Sequence, residues 1–517
     1  MVIIVSLIII LISSHRSAAQ PFQTYSAASS LNETNKSAKS VNCSNKTAVG
    51  SNNISDDNEA FNNTAQTSSQ GLASSTGLKI GGNPFKVAVN PNTNTIYVID
   101  KFSKRISFID GNTDRRIGTT YVTNIKPVTL GFNRSNITDF RSDIEINTQS
   151  NLAYVITTDS SIVSAIDSSD GNLVTSSIVK GMPFDLSINQ GRIYVITDQE
   201  INPNAFNGAI YEINEYFNRI EGHSIPVSDD FLAAIKVASS ADESIVYVIG
   251  GVTQRLYVYN NIPDSKPIAN FSIPTHGYLY DLAVNPNTDT VYITDRSDTD
   301  IVYAVNITSH NITELHVGGA QGTTGVVVNP KTNMVYVGNP GCRTVSVING
   351  TSNSFVTNIP VDIEPRGLDI NPNTNMVYVA NWLSGTISVI DGVKNKLTTV
   401  SRFNVNPPNA GFIECNGNKI SSNYSRYYID TSLECEAKAN DGFTFSSWSG
   451  DYLPSSNLNT PLTTFKVSKY GTLSANFIQS STVSIPPEFW TPLYGLIPGF
   501  FIPSIISWLN GRMGSSH

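Results

Sequence analysis

Cysteine, charge and long apolar runs are all scarce in this chain of 517 residues. Four Cys are too few for a disulfide-dense mini-protein. The 33 basic and 41 acidic residues give a net charge of −8 without a basic stripe, which excludes nucleic acid as an expected partner. Long apolar runs occur only at the two ends, which excludes a polytopic membrane protein. The 25 Pro and 35 Gly, with no heptads, exclude a coiled coil.

The N-terminal end has the pattern of an export signal. Residues 2–12 form an apolar run, and the small residues Ser17, Ala18 and Ala19 follow it. This pattern predicts a signal peptide over residues 1–19, cleaved near Gln20, although no Lys or Arg precedes the run. A buried helix or an uncleaved anchor is the alternative. We therefore expect an exported protein at the cell surface.

Residues 20–77 are rich in Ser, Thr and Asn and poor in large apolar side chains, which predicts a disordered stalk. Asn-x-Ser/Thr sequons are frequent there and recur along the chain. They predict a glycoprotein, with chance in an Asn-rich composition as the alternative. The sequon residues are Asn32, Asn35, Asn42, Asn45, Asn53, Asn62, Asn133, Asn136, Asn270, Asn306, Asn311, Asn349 and Asn423.

The C-terminal end predicts contact with a membrane. After a linker at 479–488, residues 489–509 contain no charged side chain and carry aromatic residues near both ends. This length suits one transmembrane or membrane-embedded anchor, followed by a short tail at 510–517. Three prolines in the run weaken a helix, so an amphipathic or partner-docking tail is the alternative.

Between the ends, one pattern recurs. NPNTNTIYVID at 90–100 returns as NPNTDTVYITD at 285–295, NPKTNMVYVGN at 329–339 and NPNTNMVYVAN at 371–381, with weaker copies between. A tyrosine marks each copy, 40 to 57 residues after the previous one. These are Tyr97, Tyr154, Tyr194, Tyr247, Tyr292, Tyr336 and Tyr378.

Each repeat contains three short stretches expected to be β-strands, and a fourth follows in most repeats; the first two are joined by the Asn-Pro turn. Four short antiparallel strands at this period predict one blade of a β-propeller. We therefore predict an all-β chain with a seven-bladed β-propeller over 78–403. For closure of the ring, we predict that Leu78–Ile80 pairs with the last blade beside 396–403.

The pairing of NPNTN with Tyr-Val strands resembles the YVTN-family β-propeller of bacterial and archaeal surface proteins, over about 325 residues. Residues 404–478 resemble the divergent InlB-type B-repeat, most clearly at GFTFSSWSGD in 442–451. The first resemblance implies an extracellular scaffold. The second implies a small β-rich spacer or adhesive module, with Phe445 and Trp448 in its core.

The four cysteines fall into two groups. Cys415 and Cys435 lie in two adjacent predicted strands of the small module, and an oxidising compartment would allow a disulfide between them. Cys43 and Cys342 either pair or stay free, and the sequence leaves both open.

Catalytic motifs such as HExxH, GxSxG or a Walker loop do not occur in the sequence. Carboxylates at the ends of the repeat strands, Asp100, Asp143, Asp185, Asp281 and Asp295, could gather at one rim and hold a Ca²⁺ ion. His276 could then assist a lactonase-like hydrolysis. The alternative is that these carboxylates only accept hydrogen bonds from their own turns. Trp382 lies in a turn of the last repeat, where it could contact a protein or glycan, with packing beside the channel as the alternative.

The sequence therefore predicts a non-enzymatic cell-surface scaffold or adhesion protein, without a required cofactor, whose partners are the membrane and surface proteins or glycans. A metal-dependent, lactonase-like hydrolase is one alternative. A solute sensor that uses the mouth of the propeller channel is another.

Overall fold

The computed structural model describes residues 76–480 with gaps, and the described residues contain β-strands and no helix. The gaps are 101–102, 104, 122–141, 158–160, 180, 190, 203–204, 215–218, 221–224, 228–231, 240–243, 251–252, 261–265, 276, 298, 319–321, 422 and 453–456. The chain divides into two compact units. The first unit runs to Ser401 and also includes Tyr424–Thr431 and Val467–Tyr470. The second unit contains Arg402–Asn423, Ser432–Lys466 and the residues from Gly471 onward.

The strands are short, and most contain four to eight residues. In chain order they are β1 (Leu78–Lys79), β2 (Pro84–Asn90), β3 (Thr95–Asp100), β4 (Arg105–Asp110), β5 (Arg115–Tyr121), β6 (Ser142–Asn147), β7 (Leu152–Thr157), β8 (Ile162–Asp167), β9 (Leu173–Ile178), β10 (Met182–Asn189), β11 (Arg192–Asn202), β12 (Ala205–Asn214), β13 (Arg219–Ile220), β14 (Ile225–Val227), β15 (Leu232–Ser239), β16 (Ser244–Gly250), β17 (Arg255–Asn260), β18 (Ala269–Ser272), β19 (Leu279–Asn285), β20 (Thr290–Asp295), β21 (Ile301–Asn306), β22 (Ile312–His316), β23 (Val326–Asn329), β24 (Met334–Asn339), β25 (Thr344–Asn349), β26 (Ser354–Pro360), β27 (Pro365–Asn371), β28 (Met376–Asn381), β29 (Thr386–Asp391), β30 (Lys396–Asn406), β31 (Gly411–Cys415), β32 (Asn418–Lys419), β33 (Tyr424–Tyr428), β34 (Ser432–Ala439), β35 (Phe443–Gly450), β36 (Leu462–Lys466) and β37 (Gly471–Gln479).

Within the described residues, β2 to β30 form seven antiparallel sheets in which consecutive strands are neighbours, except that β14 pairs with β12. We name them sheets 1 to 7: β2–β5, β6–β9, β10–β14, β15–β18, β19–β22, β23–β26 and β27–β30. The first strand of each sheet packs against the first strand of the next, and β27 packs against β2. The all-β prediction is confirmed, and this arrangement of small sheets is propeller-like.

The apolar core lies between the sheets. Each of seven clusters of buried residues is drawn from two neighbouring sheets, because strands such as β3 place buried apolar residues on both of their faces. The cluster between sheets 1 and 2 joins Tyr97 and Phe108 to Val155. The cluster between sheets 7 and 1 joins Tyr378 to Val98 in the same way. A single sheet could not bury these faces alone.

The Asn-Pro motif forms the turn between the first two strands of a sheet. In sheet 5, the Asn285 side chain accepts a hydrogen bond from the N–H of Asn287 at 3.1 Å. The last residue of the motif takes a left-handed backbone, as at Asn333 and Asn375 with φ of 55° and 57°. Asn tolerates this conformation better than most residues, which explains its place in the repeat.

The same motif also connects neighbouring sheets. The first Asn of one turn donates its amide to the last Asn of the next turn, and we call this series the asparagine ladder. Its described bonds are Asn90 to Asn151 at 2.6 Å, Asn285 to Asn333 at 2.6 Å, Asn329 to Asn375 at 3.1 Å and Asn371 to Asn94 at 2.6 Å. The last of these bonds joins sheet 7 back to sheet 1.

The N-terminal strand β1 adds to sheet 7. Leu78 pairs with Ile387 and Lys79 with Thr386, both in β29. The predicted pairing with the last repeat is therefore present, but the partner is β29 and not 396–403. The reason is that β30 pairs with β29 only over Val389–Asp391, which leaves the rest of that edge open to β1.

The second unit is a small β module. β32, β31, β34 and β36 form one sheet, and β35 pairs with β37. Trp448 is buried, with its ring centre 5.2 Å from that of Phe465 and 5.5 Å from that of Phe445. Its indole N–H donates to the carbonyl of Thr460 at 3.0 Å, so the polar atom of this core residue is satisfied.

Candidate functional site

The first strands of the sheets bring a cation and two carboxylates together. The ammonium of Lys86 in β2 lies 3.2 Å from Asp143 of β6 and 3.6 Å from Asp185 of β10. The side chain of Lys86 is 18 % exposed, and those of both aspartates are buried. We call these three residues the ionic cluster. It joins sheets 1, 2 and 3 through charged contacts with little access to water.

The surrounding charge keeps Lys86 protonated. Burial would lower the pKa of Lys86, but Asp143, Asp185 and Asp281 outweigh this effect and raise the pKa well above its usual value. Glu145 adds a smaller contribution in the same direction. Lys86 is therefore a permanent cation at neutral pH and is not poised to act as a general base.

Aspartates of the first strands also accept backbone hydrogen bonds from the next sheet. Asp143 accepts the N–H of Leu186 at 3.1 Å, and Asp281 accepts that of Val326 at 3.1 Å. Asp369 accepts the N–H of Val89 at 2.7 Å, across sheets 7 and 1. The first strand is an edge strand, so these carboxylates satisfy N–H groups that have no ladder partner.

The two remaining predicted carboxylates, Asp100 and Asp295, are the last residues of the second strands β3 and β20. Asp100 accepts the backbone N–H of Asn83 at 2.6 Å and of Ser103 at 2.8 Å. Asp295 accepts the hydroxyl of Thr275 and, at 2.9 Å, the N–H of Ser297. The five predicted residues are therefore divided between the first strands and the ends of the second strands.

In the described part of the chain, no group of three or more His, Cys, Asp or Glu is placed to hold a metal ion. His276 lies outside the described residues. The Ca²⁺ site and the hydrolase that would use it stay predictions.

A cavity of about 340 Å³ lies between the first strands of sheets 1, 2, 5, 6 and 7. Its charged lining consists of Lys86, Glu145, Asp281 and Asp369, and most of the other lining residues are apolar. Glu145 and Asp369 were not predicted as site residues. Glu145 lies two residues after the predicted Asp143 in β6, and the alternation of a strand was the signal that these two residues share a face.

Aromatic and basic side chains meet where the first strands begin and the second strands end. The guanidinium of Arg366 lies 5.1 Å from the ring centre of Trp382, and that of Arg296 lies 5.4 Å from Tyr280. Tyr280 and Arg366 line one small cavity together with Lys86 and Asp185.

Next to these stacked pairs, Leu383 and Tyr278 are 56 % and 57 % exposed. We call Tyr278, Tyr280, Arg296, Arg366, Trp382 and Leu383 the contact face. Trp382 itself is only partly exposed, because Arg366 covers one side of its ring.

The cysteines that the sequence placed in adjacent strands are bonded to each other in the structure. Cys415 and Cys435 are directly paired residues of β31 and β34, with an S–S distance of 2.06 Å. Cys342 is also disulfide-bonded. Cys43 lies outside the described residues.

The sequons differ in accessibility. Asn270, Asn311 and Asn423 are exposed, whereas Asn306 and Asn349 are partly buried and hydrogen-bonded in turns. The other sequon residues lie outside the described residues: Asn32, Asn35, Asn42, Asn45, Asn53, Asn62, Asn133 and Asn136. Glycosylation stays a prediction.

The predicted signal peptide, most of the stalk, and the anchor at 489–509 also lie outside the described residues. Within the described part of the chain, none of the secondary structure is a helix with the length and apolar character to cross a membrane.

Known proteins resemble both the small β module and the unit of seven sheets. A family model described as a divergent InlB B-repeat domain matches residues 414–481, which confirms that resemblance. Such a domain suggests a cell-surface protein. A hydrazine synthase structure from Kuenenia stuttgartiensis is similar with a TM-score of 0.50 and 16 % identity, over 62 % of this chain and 98 % of that one. This likeness supports the fold alone.

A chain of a mitotic checkpoint complex is similar at a TM-score of 0.47 and 9 % identity, over 65 % of this chain and 98 % of that one. A search of curated proteins finds no match. The propeller-like fold and the surface-repeat domain together suggest a protein with an interaction role.

Proposed function

We propose that this chain is a non-enzymatic scaffold or adhesion protein of the cell surface, which binds proteins or glycans through the contact face. In this proposal the seven sheets are the seven blades of one propeller of the YVTN type. The chain is exported, glycosylated and held at the membrane by residues 489–509. The contact cycle from β2 through the first strands to β27 and back supports the blade count.

The contact face carries the proposal. Trp, Tyr and Arg side chains are enriched among the residues that dominate binding energy in protein interfaces. Here Trp382 and Tyr280 are each stacked by an arginine, and the exposed Leu383 and Tyr278 lie next to them. The asparagine ladder and the aspartate contacts tie the sheets below this face to one another, so the face is held on a rigid support.

Two exposed apolar residues of sheet 7 give a matched test. Leu383 is 56 % exposed in the turn before β29, and Val393 is 58 % exposed in the turn after it, at the other end of the same strand. We expect Leu383→Ser to weaken binding of the purified protein to intact producing cells by roughly tenfold. Val393→Ser should leave binding unchanged. Equal binding of both variants and the unaltered protein would overturn the role of the contact face.

The non-enzymatic proposal has its own test. Bound metal is measured in the purified protein, and lactone hydrolysis is followed with and without a chelator. Stoichiometric metal together with hydrolysis that the chelator abolishes would replace the scaffold proposal with the hydrolase alternative. Absence of turnover in either condition supports the scaffold.

A further inference from the structure

The motif tyrosines connect each sheet to the next by a recurring pair of acceptors. The hydroxyl of Tyr336 in sheet 6 donates to the carbonyl of Gly392 and to the side chain of Asn395 in sheet 7, both at 2.9 Å. The hydroxyl of Tyr292 in sheet 5 lies 2.5 Å from the side chain of Asn353 in sheet 6. The acceptors bound by Tyr97, Tyr292 and Tyr336 all lie in the turn between the third and fourth strands of the next sheet.

The junction between sheets 7 and 1 departs from this rule. By position in the repeat, the acceptors for Tyr378 are the carbonyl of Gly111 and the carboxylate of Asp114. The hydroxyl of Tyr378 is nevertheless buried without a hydrogen-bond partner among the described residues. Both of its expected acceptors are bound to Arg426 instead.

The guanidinium of Arg426 forms four bonds at this junction. One terminal nitrogen donates to Gly111 at 2.9 Å and to Asp114 at 2.7 Å. The other donates to Asp114 at 3.0 Å and to the hydroxyl of Thr398 at 3.2 Å. A planar guanidinium can hold a carboxylate through two parallel bonds, which a single tyrosine hydroxyl cannot do.

Backbone pairing places Arg426 at this junction. Arg426 lies in β33, which pairs with β30 of sheet 7, and the N–H of Ile429 donates to Leu397 at 3.1 Å. The hydroxyl of Tyr428 donates to Asp391 at 2.7 Å. The segment Tyr424–Thr431 therefore belongs to the first unit, although it follows Arg402–Asn423 in the chain.

We propose that the junction of sheets 7 and 1 is a guanidinium-binding site, made of Gly111, Asp114 and Thr398, and that Arg426 of the same chain occupies it. Through this site, Arg426 joins sheet 7, the last sheet of the repeat, to sheet 1. Asp114 is buried, so an empty site would leave a carboxylate without its cation.

The full chain allows a direct test of the site. We expect Arg426→Met to lower the melting temperature of the first unit by about 5 °C and to speed hydrogen exchange in the turn at 110–114. Arg426→Lys should restore only part of the loss, because an ammonium cannot form the paired bonds. Arg255→Met is the matched control, since Arg255 makes an exposed bond to Asn270 at 2.9 Å. It should change neither measurement.

Chemical rescue distinguishes a binding site from a merely structural contact. Arg426→Ala should leave room for a small guanidinium. We expect 20 mM ethylguanidinium chloride to raise the melting temperature of Arg426→Ala by about 2 °C, through binding to the folded state alone. Ethylammonium chloride at the same concentration is the control and should not do so. Equal effects of the two salts, or equal losses in Arg426→Met and Arg255→Met, would overturn the proposal.

Discussion

The junctions of sheets 6–7 and 7–1 share two kinds of contact and differ in a third. Both have an asparagine of the ladder and an apolar cluster. The turn between the third and fourth strands is bound by Tyr336 at the first junction and by Arg426 at the second. The repeat residues Asn371 and Asp369 of sheet 7 bind sheet 1, and Arg426 from outside the repeat binds the turn at 110–114. The difference teaches that the repeat joins its last sheet to its first, and that a residue outside the repeat takes over one of the recurring contacts.

The largest expected loss of stability is at the junction of sheets 7 and 1, which we call the closing junction, where the N-terminal residues of the first unit bind. Asp362 accepts the backbone N–H of Thr76 and of Gly77, both at 3.0 Å, and the hydroxyl of Thr386 at 2.7 Å. We expect Asp362→Ala to lower the free energy of unfolding of the first unit by about 3 kcal/mol, because it leaves several donors unpaired. Denaturant unfolding measures this.

The control for that change is Asp300→Ala. Asp300 accepts one backbone N–H, from Gly318 at 3.1 Å, and lies near His316 at an exposed site. Its loss should be under about 1 kcal/mol. Equal losses at the two aspartates would mean that the closing junction has no special dependence on Asp362.

A separate expected effect is a pH dependence of Arg426→Met. Burial raises the pKa of Asp114, and Arg426 opposes this shift. Without Arg426, the folded state holds the Asp114 proton more tightly than the unfolded state, whose pKa is about 3.9. Stability therefore falls as pH rises from that value through the raised folded pKa.

We expect the loss in Arg426→Met, relative to the unaltered protein, to be larger at pH 7 than at pH 4 by about 1 kcal/mol. Urea unfolding at the two pH values measures it. A loss that is the same at both values, as expected for Arg255→Met, would contradict the pairing of Arg426 with a carboxylate.

The stability of the two junctions should depend equally on the asparagine ladder. Asn329 and Asn371 each donate to the next turn and accept two backbone N–H bonds within their own turn. Asn329→Ala and Asn371→Ala should each lower the free energy of unfolding by about 2 kcal/mol. A much smaller loss for Asn371→Ala would show that sheets 7 and 1 do not share the ladder.

Removal of a tyrosine hydroxyl should have the smallest effect on stability, but it distinguishes the two junctions most directly. Tyr336→Phe should cost about 1 kcal/mol, because its hydroxyl makes two bonds. Tyr378→Phe should cost close to nothing, because that hydroxyl has no described partner. In an Arg426→Met background the Gly111 carbonyl is released, and Tyr378→Phe should then become costly. Thermal unfolding of the unaltered protein, Tyr378→Phe, Arg426→Met and the double variant measures the coupling between the two residues. Additive losses in the double variant would argue against that coupling.

The repeat allowed much of the first unit to be predicted. The tyrosine of the repeat is buried wherever its side chain is described, and the Asn-Pro turns form as their residues require. Arg426 could not be predicted, because it lies outside the repeat and 312 residues after Asp114. The return of Tyr424–Thr431 to the first unit has no periodic signal, since it depends on β33 pairing with one particular strand.

The site was predicted in part. The sequence placed Asp143 and Asp185 on a common rim, and the structure gathers both around Lys86. It also placed Asp100 there, whose oxygens instead hold a turn of sheet 1. Residue type at a strand end cannot distinguish these outcomes, because a carboxylate accepts whichever N–H is left unpaired. Trp382 was found, but its stacking with Arg366 depends on a contact that spacing alone does not give.

The long separation between the closing partners has a consequence for synthesis. Thr76 and Asp362 are 286 residues apart, and Asp114 and Arg426 are 312 apart. At about 5–20 residues per second, a nascent chain waits roughly 15–60 s before these partners exist. During that interval the first sheet has an exposed flank and an uncompensated Asp114. A β1 of only two residues, one of them lysine, offers little for another chain to pair with while it waits.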